Sequence, residues 1–304
     1  MRRLVSTAAV TAALLLACAA CTVPPDAQPP VAPTGSAPTA DAAAPTPAPT
    51  GPPTTVAVLG DSLSRGFNAC AHYGDCPSVS WAGGSDDRID SLATRIGQLT
   101  DGPVTVKSFA KSGATVADLR RQVASAVATR PDLITLLIGA NDVCRATLDE
   151  MTPTATYSAA ITSALQEISL YAPNAVVLVA SVPDVTGLVE VAGKDPTAQF
   201  LWRSAGGCAT ALADPESATF DSADRRRQVD ARLDEYDTVL AGACIALPRC
   251  VYDGGALHAY RPDLDQLSAL DRFHPSVQGL KELARVEWQA LSASPRAVPL
   301  FARE

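Results

Sequence analysis

The chain has 304 residues, a formal net charge of −8 and 47% hydrophobic residues. No basic run exceeds the triplet Arg225 to Arg227, so the clustered Lys and Arg that neutralise phosphates are missing and nucleic acid is not an expected partner. Once the N-terminal segments described next are set aside, roughly 250 residues remain, enough for one large domain with its own core.

Residues 1–21, MRRLVSTAAVTAALLLACAAC, have the layout of an export signal. Arg2 and Arg3 precede an uncharged, mostly apolar run from Val5 to Ala17. That run is too short to span a bilayer as a mature helix and fits a cleavable leader. The stretch LLAC ending at Cys18 resembles the lipobox of bacterial lipoproteins, in which the cysteine is lipidated and becomes the new N-terminus. Cys21 is the competing site, with Cys18 rather than an aliphatic residue at its −3 position. Residues 22–53 hold eleven of the chain's 24 prolines and almost no large apolar residue. Such a segment cannot bury enough surface to offset its ordering entropy. A disordered tether is expected, rising roughly 3 Å per residue where it is polyproline-like.

From residue 54 to 304, apolar runs alternate with helical patterns. Strands are expected at Thr55–Gly60, Val104–Ala110, Leu133–Gly139, Ala175–Val182 and, shorter, Cys250–Gly254. Helices are expected at Ile89–Leu99, Thr115–Ala128, Tyr157–Ala172, about Ser222 to Leu240, and Ser276–Leu291. The stretch Pro183–Ser217 shows no clear period and is expected to be irregular, long enough to wall a site. The Arg225 to Arg227 triplet is expected on the solvated face of a helix. Strands this apolar are covered on both faces, as in parallel sheets. The alternation gives a three-layer α/β/α sandwich, whose ligands bind beyond the carboxyl ends of the strands.

Beyond Cys18 and Cys21 there are six cysteines. An even number in an exported chain implies three disulfides, of which 15 pairings are possible. The close spacings suggest Cys70–Cys76 and Cys244–Cys250 as loop staples, leaving Cys144–Cys208. A zinc site is the alternative, but no Cys-x-x-Cys lies outside the leader and only three histidines exist, so no metal is expected.

The working edge of the sheet should carry Asp61-Ser62 after the first strand, Lys111–Thr115 after the second and Gly139–Cys144 after the third. A serine hydroxyl needs a base to become a nucleophile, and near neutral pH that base is histidine. His274 sits in DRFHPS with Asp271 three residues before it, a spacing that lets the carboxylate orient the imidazole. Gly113 can bring a backbone N–H close to an oxyanion, and Asn141 can donate its side-chain amide. His72 is expected in a solvent-facing loop and His258 in a structural role. Asp61 and Asp142 are expected to hold turns. Trp81 and Trp202 are candidates for contact with an acyl chain or sugar ring, with core roles equally open.

These stretches resemble the four sequence blocks of the GDSL, or SGNH, hydrolases: GDSLS, Gly113 in KSGAT, GANDVC and DRFHP, in the family's order, across roughly Val56 to Leu291. The resemblance implies a flavodoxin-like sheet of order 2-1-3-4-5, ester hydrolysis without metal or cofactor, and a hydrolase domain over 54–304. It implies Ser62 as nucleophile, His274 as base and Asp271 as its orienter, with the N–H groups of Ser62 and Gly113 and the Asn141 amide as oxyanion hole. The three-disulfide layout resembles the secreted actinobacterial lipases and esterases of the family, which supports the sequential pairing. The Gly-x-Ser-x-Gly elbow of α/β-hydrolases is absent. The expectation is an exported serine esterase or lipase for a small-molecule, lipid or glycan ester. It is expected to be monomeric and to touch the membrane only through an N-terminal lipid. The alternatives are a carbohydrate O-acetyl esterase and a non-catalytic envelope-binding lipoprotein.

Overall fold

A computed structural model describes residues 55–100, 104–205 and 207–297. The expected leader with Cys18 and Cys21, and the proline-rich tether, lie outside the described residues. Five strands, β1 (Thr55–Gly60), β2 (Thr105–Ser108), β3 (Leu133–Leu137), β4 (Val176–Val179) and β5 (Cys250–Tyr252), form one sheet of order β2-β1-β3-β4-β5. Every pairing is parallel. The order is the one implied by the GDSL resemblance.

Among the described residues the helices are α1 (Leu92–Thr100), α2 (Leu119–Val127), α3 (Ala140–Val143), α4 (Thr154–Tyr171), α5 (Leu188–Ala192), α6 (Pro196–Ala205), α7 (Ala209–Leu212), α8 (Phe220–Ile245), α9 (Ala256–Ala259) and α10 (Val277–Ala293). Local chemistry sets several of the ends. Thr219 and Ser276 cap α8 and α10 by accepting from the N–H groups of Ser222 and Gly279, both at 3.3 Å. Such caps satisfy backbone donors that the first helical turn leaves unpaired. Pro173 stops α4.

The two-residue period of the strands divides the core. Ala57, Leu59, Ile134, Leu136, Val177 and Val179 face one layer, where Val123, Ile161, Leu165 and Leu233 come from α2, α4 and α8. Val56, Val58, Leu133, Leu137 and Leu178 face the other, against Ile96 of α1 and Leu280, Leu283 and Leu291 of α10. Each fully buried Leu or Ile in these layers contributes about 1.5–3 kcal/mol relative to exposure. β1, β3 and β4 are therefore covered on both faces, while β2 is a largely exposed edge strand. Lys107 on that edge discourages pairing with another chain.

Two features differ from the sequence reading. The stretch expected to be irregular between Pro183 and Ser217 contains α5, α6 and α7. The arginine triplet is not uniformly solvated: Arg225 donates to the carbonyl of Thr210 at 3.1 Å, and Arg226 to that of Ser217 at 2.8 Å. Both strap the α7 region to α8, and Arg227 alone is exposed. Of the two roles left open for Trp81, the core one holds: it is fully buried in the layer with α1 and α10 and lines no cavity at the working edge.

Disulfides join Cys70 to Cys76, Cys144 to Cys208, and Cys244 to Cys250. Cys144–Cys208 spans 64 positions and ties the end of α3 to the start of α7. By the loop-entropy account it contributes the most of the three, about 4 kcal/mol.

Candidate active site

The carboxyl ends of β1, β2 and β3 open on one edge, because the strands are parallel. β1 ends at Gly60, whose φ is +133°; a Cβ there would meet the carbonyl oxygen of Leu137 at 2.2 Å. Only glycine allows the chain to cross so close to β3. Gln122 of α2 holds both sides of that residue: its Oε1 accepts from the Gly60 N–H at 2.7 Å, and its Nε2 donates to the Gly60 carbonyl at 2.8 Å. The next residues form a tight turn, Ser62–Arg65, capped by Asp61, whose Oδ1 accepts from the Leu63 N–H at 2.9 Å.

The partner of Ser62 arrives from the loop before α10. That loop closes on itself through the Ser268 N–H, which donates to the His274 carbonyl at 2.7 Å. His274 Nε2 then lies 2.9 Å from Ser62 Oγ, and His274 Nδ1 lies 2.6 Å from Asp271 Oδ2. Asp271 Oδ1 accepts from the N–H groups of Phe273 and His274, both at 2.9 Å. Phe67 and Phe273 flank the imidazole at 4.9 and 5.0 Å between ring centroids. Burial works against the Asp271 charge, but the His274 hydrogen bond and charge and these backbone donors outweigh it and hold the carboxyl below its ordinary range.

Gly113 has φ +78°, in the left-handed region that glycine favours. Among the described residues, neither its N–H nor that of Ser62 has a protein acceptor. Asn141 Nδ2 donates to the Ala114 carbonyl at 3.0 Å, which fixes the amide and leaves its second N–H free to donate. Asp142, fully buried, accepts from the Val116 N–H at 3.0 Å and from Thr152 Oγ1 at 2.7 Å. It therefore locks the Gly113 loop to the Asn141 loop. Ser62, Gly113, Asn141, Asp271 and His274 line a single cavity. In chemical terms the arrangement sets a hydroxyl against an imidazole whose other nitrogen is held by a carboxylate, beside N–H donors from Ser62, Gly113 and Asn141 around the same cavity.

Asn68 was not singled out from the sequence, yet it joins this network. Its Nδ2 donates to Asp271 Oδ2 at 2.6 Å, and its Oδ1 accepts from the Gly74 N–H at 2.9 Å inside the Cys70–Cys76 loop. Asp75 of the same loop pairs with Arg65 at 2.9 Å and accepts from Ser112, the neighbour of Gly113. The stapled loop thus touches the serine turn, the Gly113 loop and the Asp271 carboxylate. Removing the Asn68 amide leaves Asp271 less restrained and more basic. Asn68→Ala should lower kcat by about 10- to 100-fold with little change in KM. Because a more basic carboxylate favours the imidazolium, the acid limb of the pH–rate profile should move to higher pH. An unchanged limb and kcat would remove Asn68 from any positioning role.

Of the other singled-out groups, the two remaining histidines lie apart. His72 is exposed in the stapled loop, and His258 pairs with Asp237 of α8 at 3.1 Å, a bond that raises its pKa to about 9. Neither lines a cavity at Ser62. Trp202 of α6 does line the cavity. Asp61 is buried, and loss of hydration pushes its carboxyl from 3.8 up to about 7, against the opposing effect of the Leu63 hydrogen bond. The folded chain therefore holds a proton that the unfolded chain releases. On this account stability falls as pH rises from about 4 to about 7, then levels off. Asp61→Asn keeps the capping oxygen and removes the titration. Between those pH values its Tm should fall less than that of the native protein; parallel melting curves would show that Asp61 is not the group responsible.

Residues 58–281 match the sequence model of the GDSL-like lipase/acylhydrolase family. The chain belongs to this family. It is accordingly a carboxylic ester hydrolase. No curated protein matches it, but solved structures do. One is a Parabacteroides merdae protein described as a GDSL-like lipase, with 16% identity and a TM-score of 0.50, covering 82% of this chain and all of that one. Another is an extracellular lipase of Streptomyces rimosus, with 19% identity and a TM-score of 0.47, covering 78% and 99%. A third is Axe2, an acetylxylan esterase of Geobacillus stearothermophilus, with 19% identity and a TM-score of 0.46, covering 80% and 95%. At such identities the likeness is one of fold.

Proposed function

We propose that this GDSL-family chain is an exported serine esterase working through an acyl-enzyme on Ser62. The observation that carries the reading is the continuous relay from Ser62 Oγ through His274 to Asp271, at 2.9 and 2.6 Å. Ser62 Oγ attacks the ester carbonyl carbon while His274 Nε2 takes its proton. The N–H groups of Ser62 and Gly113 and the Asn141 amide stabilise the oxyanion. As the tetrahedral centre collapses, His274 passes the proton to the leaving alcohol. Water then gives a proton to His274 and attacks the acyl carbon, and the carboxylic acid leaves as Ser62 regains its proton. Asp271 keeps Nδ1 protonated and stabilises the imidazolium throughout.

Three disulfides support an oxidising, extracytoplasmic setting. The domain is proposed to be monomeric, to begin near residue 54 and to hang on the 22–53 tether from a lipidated Cys18, or from Cys21. Among the described residues no helix is long and apolar enough to cross a membrane. A fluorophosphonate probe should label the native protein and spare Ser62→Ala; equal labelling of both would end the proposal.

A further inference from the structure

Two cavities meet at Ser62 and differ in size and lining. The smaller, about 70 Å³, is bounded by Ser62 and Asn141 and by the apolar side chains of Val185, Leu188, Leu257 and Leu283. The larger, about 890 Å³, is lined by His274 with Tyr73, Trp202, Arg145 and Glu150.

Proton transfer decides which part of an ester enters which cavity. The leaving oxygen must come within hydrogen-bond reach of His274 Nε2 to receive its proton. His274 lines the wide cleft and not the narrow pocket, so the alcohol lies in the cleft. The acyl chain is the other substituent on the same carbonyl carbon. It points away from the imidazole, into the pocket that touches Ser62 and Asn141 alone among the proposed machinery.

Volume then limits the chain. A cavity of about 150 Å³ holds a benzene ring; the narrow pocket has about half that, room for roughly three or four carbons. Leu188, Leu257 and Leu283 are at least nine-tenths buried, so a longer chain requires close-packed side chains to move. The wide cleft has the opposite character. Arg145 supplies a guanidinium, Glu150 presents a carboxylate, and Tyr73 and Trp202 supply aromatic surface. Donors, acceptors and ring faces together suit an alcohol rich in hydroxyl groups.

We infer that the substrates are esters of short acids, up to about butyrate, with bulky, hydroxyl-rich alcohols. The inference rests on Ser62 and His274 being nucleophile and base. The test is kcat/KM for p-nitrophenyl acetate, butyrate, octanoate and dodecanoate, beside ethyl acetate and a partly acetylated oligosaccharide. Activity should peak at acetate or butyrate and fall at least ~10-fold by octanoate. Leu188→Ala should raise the octanoate-to-butyrate ratio by about 10-fold; a ratio within one preparation is unaffected by partial unfolding. The acetylated oligosaccharide should exceed ethyl acetate by at least ~10-fold. Preference for octanoate or dodecanoate, an unmoved ratio in Leu188→Ala, or parity between the two acetates would overturn the inference. If fluorophosphonate labelling at Ser62 persists in those cases, the esterase reading stands. Absence of both labelling and turnover would overturn the two together.

Discussion

Ser62→Ala is expected to lower kcat by about 10⁴- to 10⁶-fold, with KM altered little. The alanine cannot form the acyl-enzyme, and the hydrogen bond from Ser62 Oγ to His274 Nε2 at 2.9 Å is lost with the hydroxyl. The residual rate should reflect the oxyanion donors and substrate positioning, which the substitution leaves in place. Ser62 is also the first residue of a turn whose cap is Asp61, so the backbone has no need of the hydroxyl and the variant should melt near the native temperature. In the proposed mechanism Ser62 and His274 act as one unit, nucleophile and base. Ser62→Ala/His274→Ala should therefore be scarcely slower than either single variant, rather than showing the product of two losses. Steady-state kinetics on one p-nitrophenyl ester measure all three. A multiplicative double variant would mean that the two side chains act separately.

Asp271→Asn is the second large effect, a fall of about 10³- to 10⁴-fold in kcat. The carboxylate accepts four hydrogen bonds: from His274 Nδ1, from Asn68 Nδ2, and from the N–H groups of Phe273 and His274. An amide has one oxygen. If that oxygen stays with the two backbone donors, the NH₂ faces Nδ1 and Asn68, where it finds a second donor in Asn68 and drives the imidazole to the tautomer protonated at Nε2. That tautomer cannot take the serine proton. Retention of more than a tenth of native kcat would show that His274 needs no orienting carboxylate.

The parts of this architecture that sequence patterns convey are those fixed by burial. β1, β3 and β4 are recognisable because both faces are covered, which forces uninterrupted apolar runs. The stretches bearing Ser62, Gly113 and Asn141 follow strand ends, so chain order alone places them at one edge. α5, α6 and α7 have five, ten and four residues. Pieces this short are held by tertiary contacts and the Cys144–Cys208 bond rather than by periodicity, which leaves little trace in sequence. Asn68 is hidden for another reason: its partner Asp271 lies 203 positions away. Its local signal is its own backbone, φ 58°, a left-handed conformation that asparagine tolerates. His258 likewise finds Asp237 only through the packing of α9 against α8. Contacts of this kind arise from topology, not from spacing along the chain.

The most direct measurement is rapid-quench mass spectrometry with peptide mapping while the protein turns over p-nitrophenyl butyrate. The relay from Ser62 to Asp271 predicts a transient butyryl adduct on the peptide containing Ser62, absent in Ser62→Ala and released at the rate of deacylation. An adduct mapped to another residue, or steady hydrolysis by Ser62→Ala at the native rate, would contradict it.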